Sequence, residues 1–215
     1  EPDFSSLWSR YQRILLQRNA ALKDHGQIKA RFVWDEELVE TGEKLQAARA
    51  RLIAHLLPQY RACCQQLMGE NHQVGLILEP GWESGNRFGE NLRQDRARDS
   101  ARGFTHSGPH RADLQINLNA QASRLNASHG QYKILVIALR LAQIRFLLES
   151  RNTNCCLLID DLAAELDPVH RSRITRFLAN LPIQVFVTAT ESSLIDRESW
   201  ASHKTFHVEH GSITG

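Results

Sequence analysis

Apolar residues recur at helical spacing from the start of the chain. Phe4, Leu7, Trp8, Tyr11, Ile14, Leu15 and Leu22, with Arg18 in the same register, define a first amphipathic helix. Lys23 to Phe32, with Gly26, reads as a loop. Leu38, Leu45, Leu52, Leu56, Tyr60, Cys63 and Leu67 mark a second helix with Asp35 as its candidate N-cap. From Asp35 to Met68 it would extend about 50 Å at 1.5 Å per residue. Pro58 is expected to kink or break it. Val74 to Leu78 follows as a strand ended by Glu79-Pro80-Gly81, and Asn86 to Arg102 reads as one charged helix stopping at Gly103.

The pattern then changes period. Ala112, Leu114, Ile116 and Leu118 alternate with Asp113, Gln115, Asn117 and Asn119, as in a half-buried strand. Ile134 to Leu148 is a long apolar helix, and Cys155 to Ile159 fits a strand buried on both faces. Pro168, at a first-turn position, opens a helix through Leu178. Gln184 to Thr188 is the next strand, and Lys204 to Val208 with His210 to Ile213 forms a terminal hairpin. Strands alternating with helices imply an α/β fold with a largely parallel sheet. The long helices come first, so the expected division is a helical arm at 1–103 and an α/β lobe at 104–215.

Composition adds limits. The 215 residues are 42% hydrophobic and 23% charged, which is ordinary globular usage for a chain able to bury a real core. No charge-free apolar run approaches the roughly 18 residues of a membrane span, and no signal peptide is visible. The four cysteines form two vicinal pairs, Cys63-Cys64 and Cys155-Cys156, without zinc spacing. Both pairs lie in apolar segments, which points to buried thiols in a reduced, cytosolic protein. A net charge of +2 does not announce a nucleic-acid binder. Arg87, Arg93, Arg96, Arg98, Arg102 and Arg111 are nevertheless clustered, with Glu90, Asp95 and Asp99 among them. Two readings stand: a solvated helix face laced with ion pairs, or a stripe that contacts phosphates.

The candidate chemistry lies in two segments. The apolar run at 155–159 ends in Asp160 and Asp161, and Asp167 follows. Carboxylates at the carboxyl end of a parallel strand stand where open α/β sheets bind ligands. One can hold Mg²⁺ beside phosphates and the next can orient or deprotonate a water. The alternative is that they cap the next helix or face solvent. The second segment is Ser128-His129-Gly130-Gln131, where Ser-x-x-Gln is a capping box. A helix N-terminus with a serine hydroxyl and a glycine is also a good phosphate contact. His110, in Gly108-Pro109-His110, reads as a structural histidine with satisfied ring nitrogens.

The order Ser-x-Gly-Gln, buried helix, strand ending Asp-Asp, then Leu-Asp resembles ABC-type ATPases, and specifically the RecF family of recombination-repair ATPases, relatives of the SMC proteins. Gly108-Pro109-His110-Arg111-Ala112-Asp113-Leu114 resembles that family's Gly-Pro-His motif, the most discriminating piece. Ser128-His129-Gly130-Gln131 resembles its shortened signature. Leu158-Ile159-Asp160-Asp161 and Glu165-Leu166-Asp167 resemble its Walker B strand and D-loop. Tyr11-Gln12-Arg13 and Gln17-Arg18-Asn19-Ala20 are also similar to the family; between residues 25 and 100 the likeness is diffuse.

The resemblance implies a P-loop NTPase lobe of ABC type with an SMC-like helical arm. It implies ATP and Mg²⁺ as cofactors: Asp160 on the metal, Asp161 polarising water, and Ser128, Gly130 and Gln131 on the ATP of an opposite subunit. Asp167 would lie at the dimer seam. Asp161 departs from the glutamate of the wider superfamily, which fits slow hydrolysis. The superfamily's switch histidine is absent from Thr188-Ala189-Thr190-Glu191. The implied role is an ATP-driven dimer that binds gapped DNA, through Arg93, Arg96, Arg102 and Arg111. Its partners would be RecR and, indirectly, RecO and RecA, in the bacterial cytoplasm. No Gly-x-x-x-x-Gly-Lys-Ser/Thr occurs in the sequence, so the chain reads as a C-terminal portion with half of an ATPase site, inactive by itself. The competing readings are a non-catalytic scaffold or another SMC-like ATPase head.

Overall fold

The computed structural model describes residues 3–24, 32–151, 155–162 and 166–214. The chain divides into two compact units, residues 1–57 with 75–117 and residues 58–74 with 118–215.

The first unit is built on α1 (Phe4–Lys23) and most of α2 (Asp35–Met68). Tyr11 and Ile14 of α1 and Leu38 and Leu45 of α2 share a core with Phe88 and Leu92, so most of the apolar stripes read from sequence is buried, with Leu52 an exception at 48% exposed. Most of the expected loop at 23–32 lies outside the described residues. Asp35 is the first helical residue rather than the N-cap, because its carboxylate is taken by Arg18 and Arg96. The helix is not broken at Pro58. Buried Leu56 and Tyr60 flank the proline, and their packing outweighs the single lost backbone donor.

β1 (Val74–Glu79) and β2 (Asp113–Leu118) are neighbours in one sheet, and β2 buries Ile116 and Leu118. Between them the expected single helix is two, α3 (Phe88–Gln94) and α4 (Arg96–Arg102). The interruption is Asp95, whose carboxylate accepts from Ser107 Oγ and pairs with Arg98 at 3.0 Å. Gly103 ends α4 in the left-handed conformation, as its position predicts.

The second unit carries β3 (Gln121–Ala122), α5 (Ser123–Asn126), α6 (His129–Arg151), β4 (Cys156–Ile159), α7 (Pro168–Ala179) and β5 (Gln184–Val187). Its core collects Tyr60, Cys63, Leu67, Ile134, Leu135, Ala138, Leu141, Ile174 and Leu178. β4 and β5 pair in parallel with Ile159 opposite Val187, and β6 (His207–Glu209) pairs antiparallel with β7 (Ser212–Thr214).

One expectation fails here. β4 is not buried on both faces. Leu158 is 75% exposed and Phe186, beside it, is 50% exposed. Strand side chains alternate, so Cys156 and Leu158 share the open face while Leu157 and Ile159 take the other. For the same reason only one cysteine pair is buried. Cys63 and Cys64 are enclosed, and burial pushes the Cys64 thiol up to about 12, whereas Cys155 is half-buried and Cys156 exposed. All four are free thiols. Among the described residues no helix is long and apolar enough to cross a membrane.

Candidate nucleotide and metal site

The acids that end β4 lie in the second unit. Asp160 and Asp161 are both exposed at the carboxyl end of the parallel pair. They are held from the neighbouring strand end by Thr188. Its hydroxyl donates to Asp160 Oδ1 at 2.6 Å and accepts from the Asp161 N–H at 2.8 Å. The Thr188 N–H donates to the Ile159 carbonyl at 2.9 Å, and Thr188 O accepts from Leu162 N–H at 3.2 Å. Asp161 adopts φ +48°, in the left-handed region that aspartate tolerates better than most side chains.

The donors suit Mg²⁺. It is a hard cation that binds through one or two carboxylates together with water and phosphate oxygens. Asp160 and Asp161 are two exposed carboxylates of that donor type. Thr188 engages one oxygen of Asp160, so the other can face a cation.

Ser128 caps α6. Gln131 N–H donates to Ser128 Oγ at 3.2 Å, and Ser128 N–H donates to Gln131 Oε1 at 3.0 Å. The capping box is therefore real, and both residues, with Gly130, sit at the start of a 23-residue helix whose first N–H groups lack partners within the helix. Asp167 is the N-cap of α7. It accepts from Val169 N–H at 2.9 Å, His170 N–H at 3.0 Å and the His170 ring. The His170 backbone and ring bonds hold its carboxyl below the usual carboxylate range. Glu165, of the expected Glu-Leu-Asp, lies outside the described residues.

The Gly-Pro-His segment belongs to the first unit. His110 Nε2 lies 3.2 Å from the Thr105 carbonyl, which can only accept, so Nε2 carries the proton. Nδ1 then accepts from Tyr11 Oη at 2.8 Å. Both ring nitrogens are engaged, and burial pushes the imidazole below its ordinary range. Gly108 has φ +146°, and a Cβ there would meet Tyr11 Oη at 2.6 Å. A Cβ on Gly81 would meet the Gly108 carbonyl at 2.3 Å. Glycine at both positions lets these backbones approach closely enough for the 2.9 Å bond from Gly108 N–H to Gly81 O.

The arginines divide. Arg96 pairs with Asp35 at 3.0 Å and lies over the Phe32 ring. Arg102 lies 3.2 Å from His106 Nε2. Arg93 and Arg111 are exposed. The ion-pair reading thus holds for Arg96 and Arg98. Sequence reasoning missed Thr188 and a buried ion cluster on Arg18. The signal for the second was visible, since an arginine stood in an apolar register.

No family model matches the chain. Curated relatives do. The chain is 39% identical over 213 residues to the DNA replication and repair protein RecF of Thioalkalivibrio sulfidiphilus, covering 99% of this chain and 59% of that protein. Against the protein of the same description from Pectobacterium atrosepticum it is 37% identical over 217 residues, covering 100% and 59%. The chain therefore spans about 59% of the length of the curated relatives it matches. Two solved structures share the fold. One, described as the recombination mediator protein RecF-ATPrS in the RecFOR pathway, has a TM-score of 0.78 at 21% identity and covers 99% of this chain and 58% of that one. The other, described as RecF-ATP in the same pathway, has a TM-score of 0.79 at 20% identity and covers 100% and 58%.

Proposed function

The chain belongs to the RecF family, and from that premise we propose that it supplies the signature serine, Walker B acids and D-loop of an ATP-driven, DNA-binding switch in recombinational repair. The observation that carries this reading is the pair of exposed carboxylates, Asp160 and Asp161, ending a parallel strand. Two adjacent exposed acids at a strand end are the oxygen donors that Mg²⁺ takes.

Bound Mg²⁺ would neutralise developing charge on the ATP phosphates. Asp160 would hold that ion, directly or through water. Asp161 would orient the attacking water, and its short side chain fits slow hydrolysis. Ser128 and the Gly130 N–H, with Gln131 completing the signature, would contact the γ-phosphate of ATP held by a second subunit. Asp167 would stand at the seam between the subunits. The helices before residue 104 would act as an arm on the lobe at 104–215. Arg93, Arg102 and Arg111 would face DNA at gaps, with RecR as direct partner and RecO and RecA reached through it, while Arg96 is held by Asp35.

The test uses the full-length protein. Ser128→Arg should leave ATP binding intact and abolish ATP-dependent dimerisation and hydrolysis, because a long cation obstructs the γ-phosphate seam. Loss of the cap alone would cost about 0.5–2 kcal/mol without a selective dimer defect. Thermal stability, ATP affinity and ATP-dependent sedimentation on one variant separate the two. A folded variant that still dimerises with ATP removes the trans-acting serine and favours a non-catalytic scaffold. The 215 residues alone, without a Walker A loop, should show neither tight Mg-ATP binding in calorimetry nor turnover.

A further inference from the structure

We propose that Thr188 is the positioning residue of the Asp160–Asp161 pair: its hydroxyl fixes the carboxylate meant for the metal and the backbone of the acid meant for water. The proposal rests on the metal-site reading above and goes beyond it, since that reading assigns Thr188 nothing.

The parallel register pairs Ile159 with Val187, so the next residue on each strand, Asp160 and Thr188, also lie side by side. Thr188 then bonds in turn to every residue from Ile159 to Leu162. Its N–H binds the Ile159 carbonyl, its hydroxyl binds Asp160 and Asp161, and its carbonyl binds Leu162 N–H. A hydroxyl has one proton and two lone pairs. The Asp161 N–H can only donate, so it takes a lone pair. An ionised carboxylate can only accept, so the proton goes to Asp160 Oδ1. The two bonds have opposite polarity and cannot exchange, which fixes the hydroxyl rotor and with it the Asp160 carboxylate.

The bond to Asp161 has a second consequence. Asp161 stands at φ +48°, a conformation that costs free energy for a non-glycine residue and persists only where its surroundings enforce it. The Thr188 hydroxyl supplies part of that enforcement. It therefore sets the direction in which the Asp161 side chain leaves the strand end. Partners that orient metal ligands in this way typically change metal affinity about 10–100-fold when removed.

The test compares Thr188→Val, which keeps the shape and removes the hydroxyl, with Thr188→Ser, which keeps the hydroxyl. Asp160→Asn serves as the control, all in the full-length protein. The readout is Mn²⁺ binding in the presence of ATP, followed by electron paramagnetic resonance, with ATP affinity in chelator measured alongside. Thr188→Val should raise the Mn²⁺ midpoint about tenfold or more. Thr188→Ser should keep the wild-type midpoint, and metal-free ATP affinity should not move in any variant. A wild-type midpoint in Thr188→Val with a shifted one in Asp160→Asn overturns the role of Thr188 and leaves the metal site standing. Equal shifts in the Val and Ser variants overturn it too, since packing rather than the hydroxyl would then matter. A wild-type midpoint in Asp160→Asn overturns the metal site itself, and this proposal with it. Thr188 is exposed, so these variants should fold; Thr188→Ala is read in the same way if Thr188→Val does not.

Discussion

Each compact unit holds a pair of aspartates, and the two pairs are treated in opposite ways. In the first unit Asp35 and Asp99 close on Arg18, whose side chain is completely buried. Arg18 Nε donates to Asp35 at 2.7 Å, and Nη1 donates to Asp99 at 2.8 Å and to Thr105 Oγ1 at 2.7 Å. Asp99 also accepts from the His106 N–H at 3.0 Å. In the second unit Asp160 and Asp161 stand exposed, and the group that holds them is a hydroxyl, Thr188 Oγ1. Carboxylates answered by a buried guanidinium hold a structure together. A carboxylate steadied by a neutral hydroxyl, as Asp160 is, or held only through its backbone, as Asp161 is, keeps its charge available for chemistry.

The sharpest way to break this contrast is to remove one buried partner. Asp99→Ala leaves the Arg18 charge buried with one acceptor fewer, and Nη2 already finds none among the described residues. Breaking a buried pair in this way costs about 3–5 kcal/mol. The urea midpoint of the full-length protein should fall accordingly, whereas Asp160→Ala should leave its stability within about 0.5 kcal/mol of wild type. Comparable losses in both variants would erase the distinction between the two pairs.

Asp161→Glu probes the second pair at its backbone. Left-handed φ costs an ordinary side chain about 1–2 kcal/mol, and aspartate and asparagine less. The glutamate variant should melt lower than wild type, and Asp161→Asn should melt as wild type. Glutamate at no cost would mean that φ +48° does not explain why aspartate stands here.

The first unit also carries a titrating group of a different kind. Burial holds His110 neutral and below its ordinary value of 6.5. Folding therefore favours the neutral ring, and the contribution is present above pH 6.5 and lost as pH falls through the lowered folded value. Denaturant midpoints should decline over that acid window, and His110→Gln should flatten the decline. An unchanged slope in the variant would assign the acid loss to other groups.

How much of this could be read from the chain follows from the range of the forces involved. The span of α2 is legible because its apolar stripe is local and repeats, and Ser128 with Gln131 is legible because a capping box spans four residues. The break at Asp95 is not, because Ser107, twelve positions on, takes its carboxylate. Thr188 is hidden for the same reason: its partners are 27 and 28 residues away, and only the strand register brings them together. The open face of β4 escapes the sequence because an apolar run says that a strand prefers burial, not whether anything packs on it. In the site, residue types are legible and their supports are not.

The smallest expected effect concerns the exposed arginines. Arg96 is tied to Asp35 and stacked on Phe32, whereas Arg93 and Arg111 are exposed. If the structural and functional charges separate as the aspartates do, Arg93→Gln and Arg111→Gln should each change stability by no more than about 0.5 kcal/mol. Each should instead lower the salt dependence of DNA binding by the full-length protein, by about one unit of log–log slope for every phosphate no longer neutralised. Arg96→Gln should do the reverse, with reduced stability as its main effect, since it strips Asp35 of one of its two cations. Melting temperature and binding at several salt concentrations on the same three variants decide it. A wild-type salt slope after removal of both exposed arginines would return them to the solvated helix face and leave DNA to other residues.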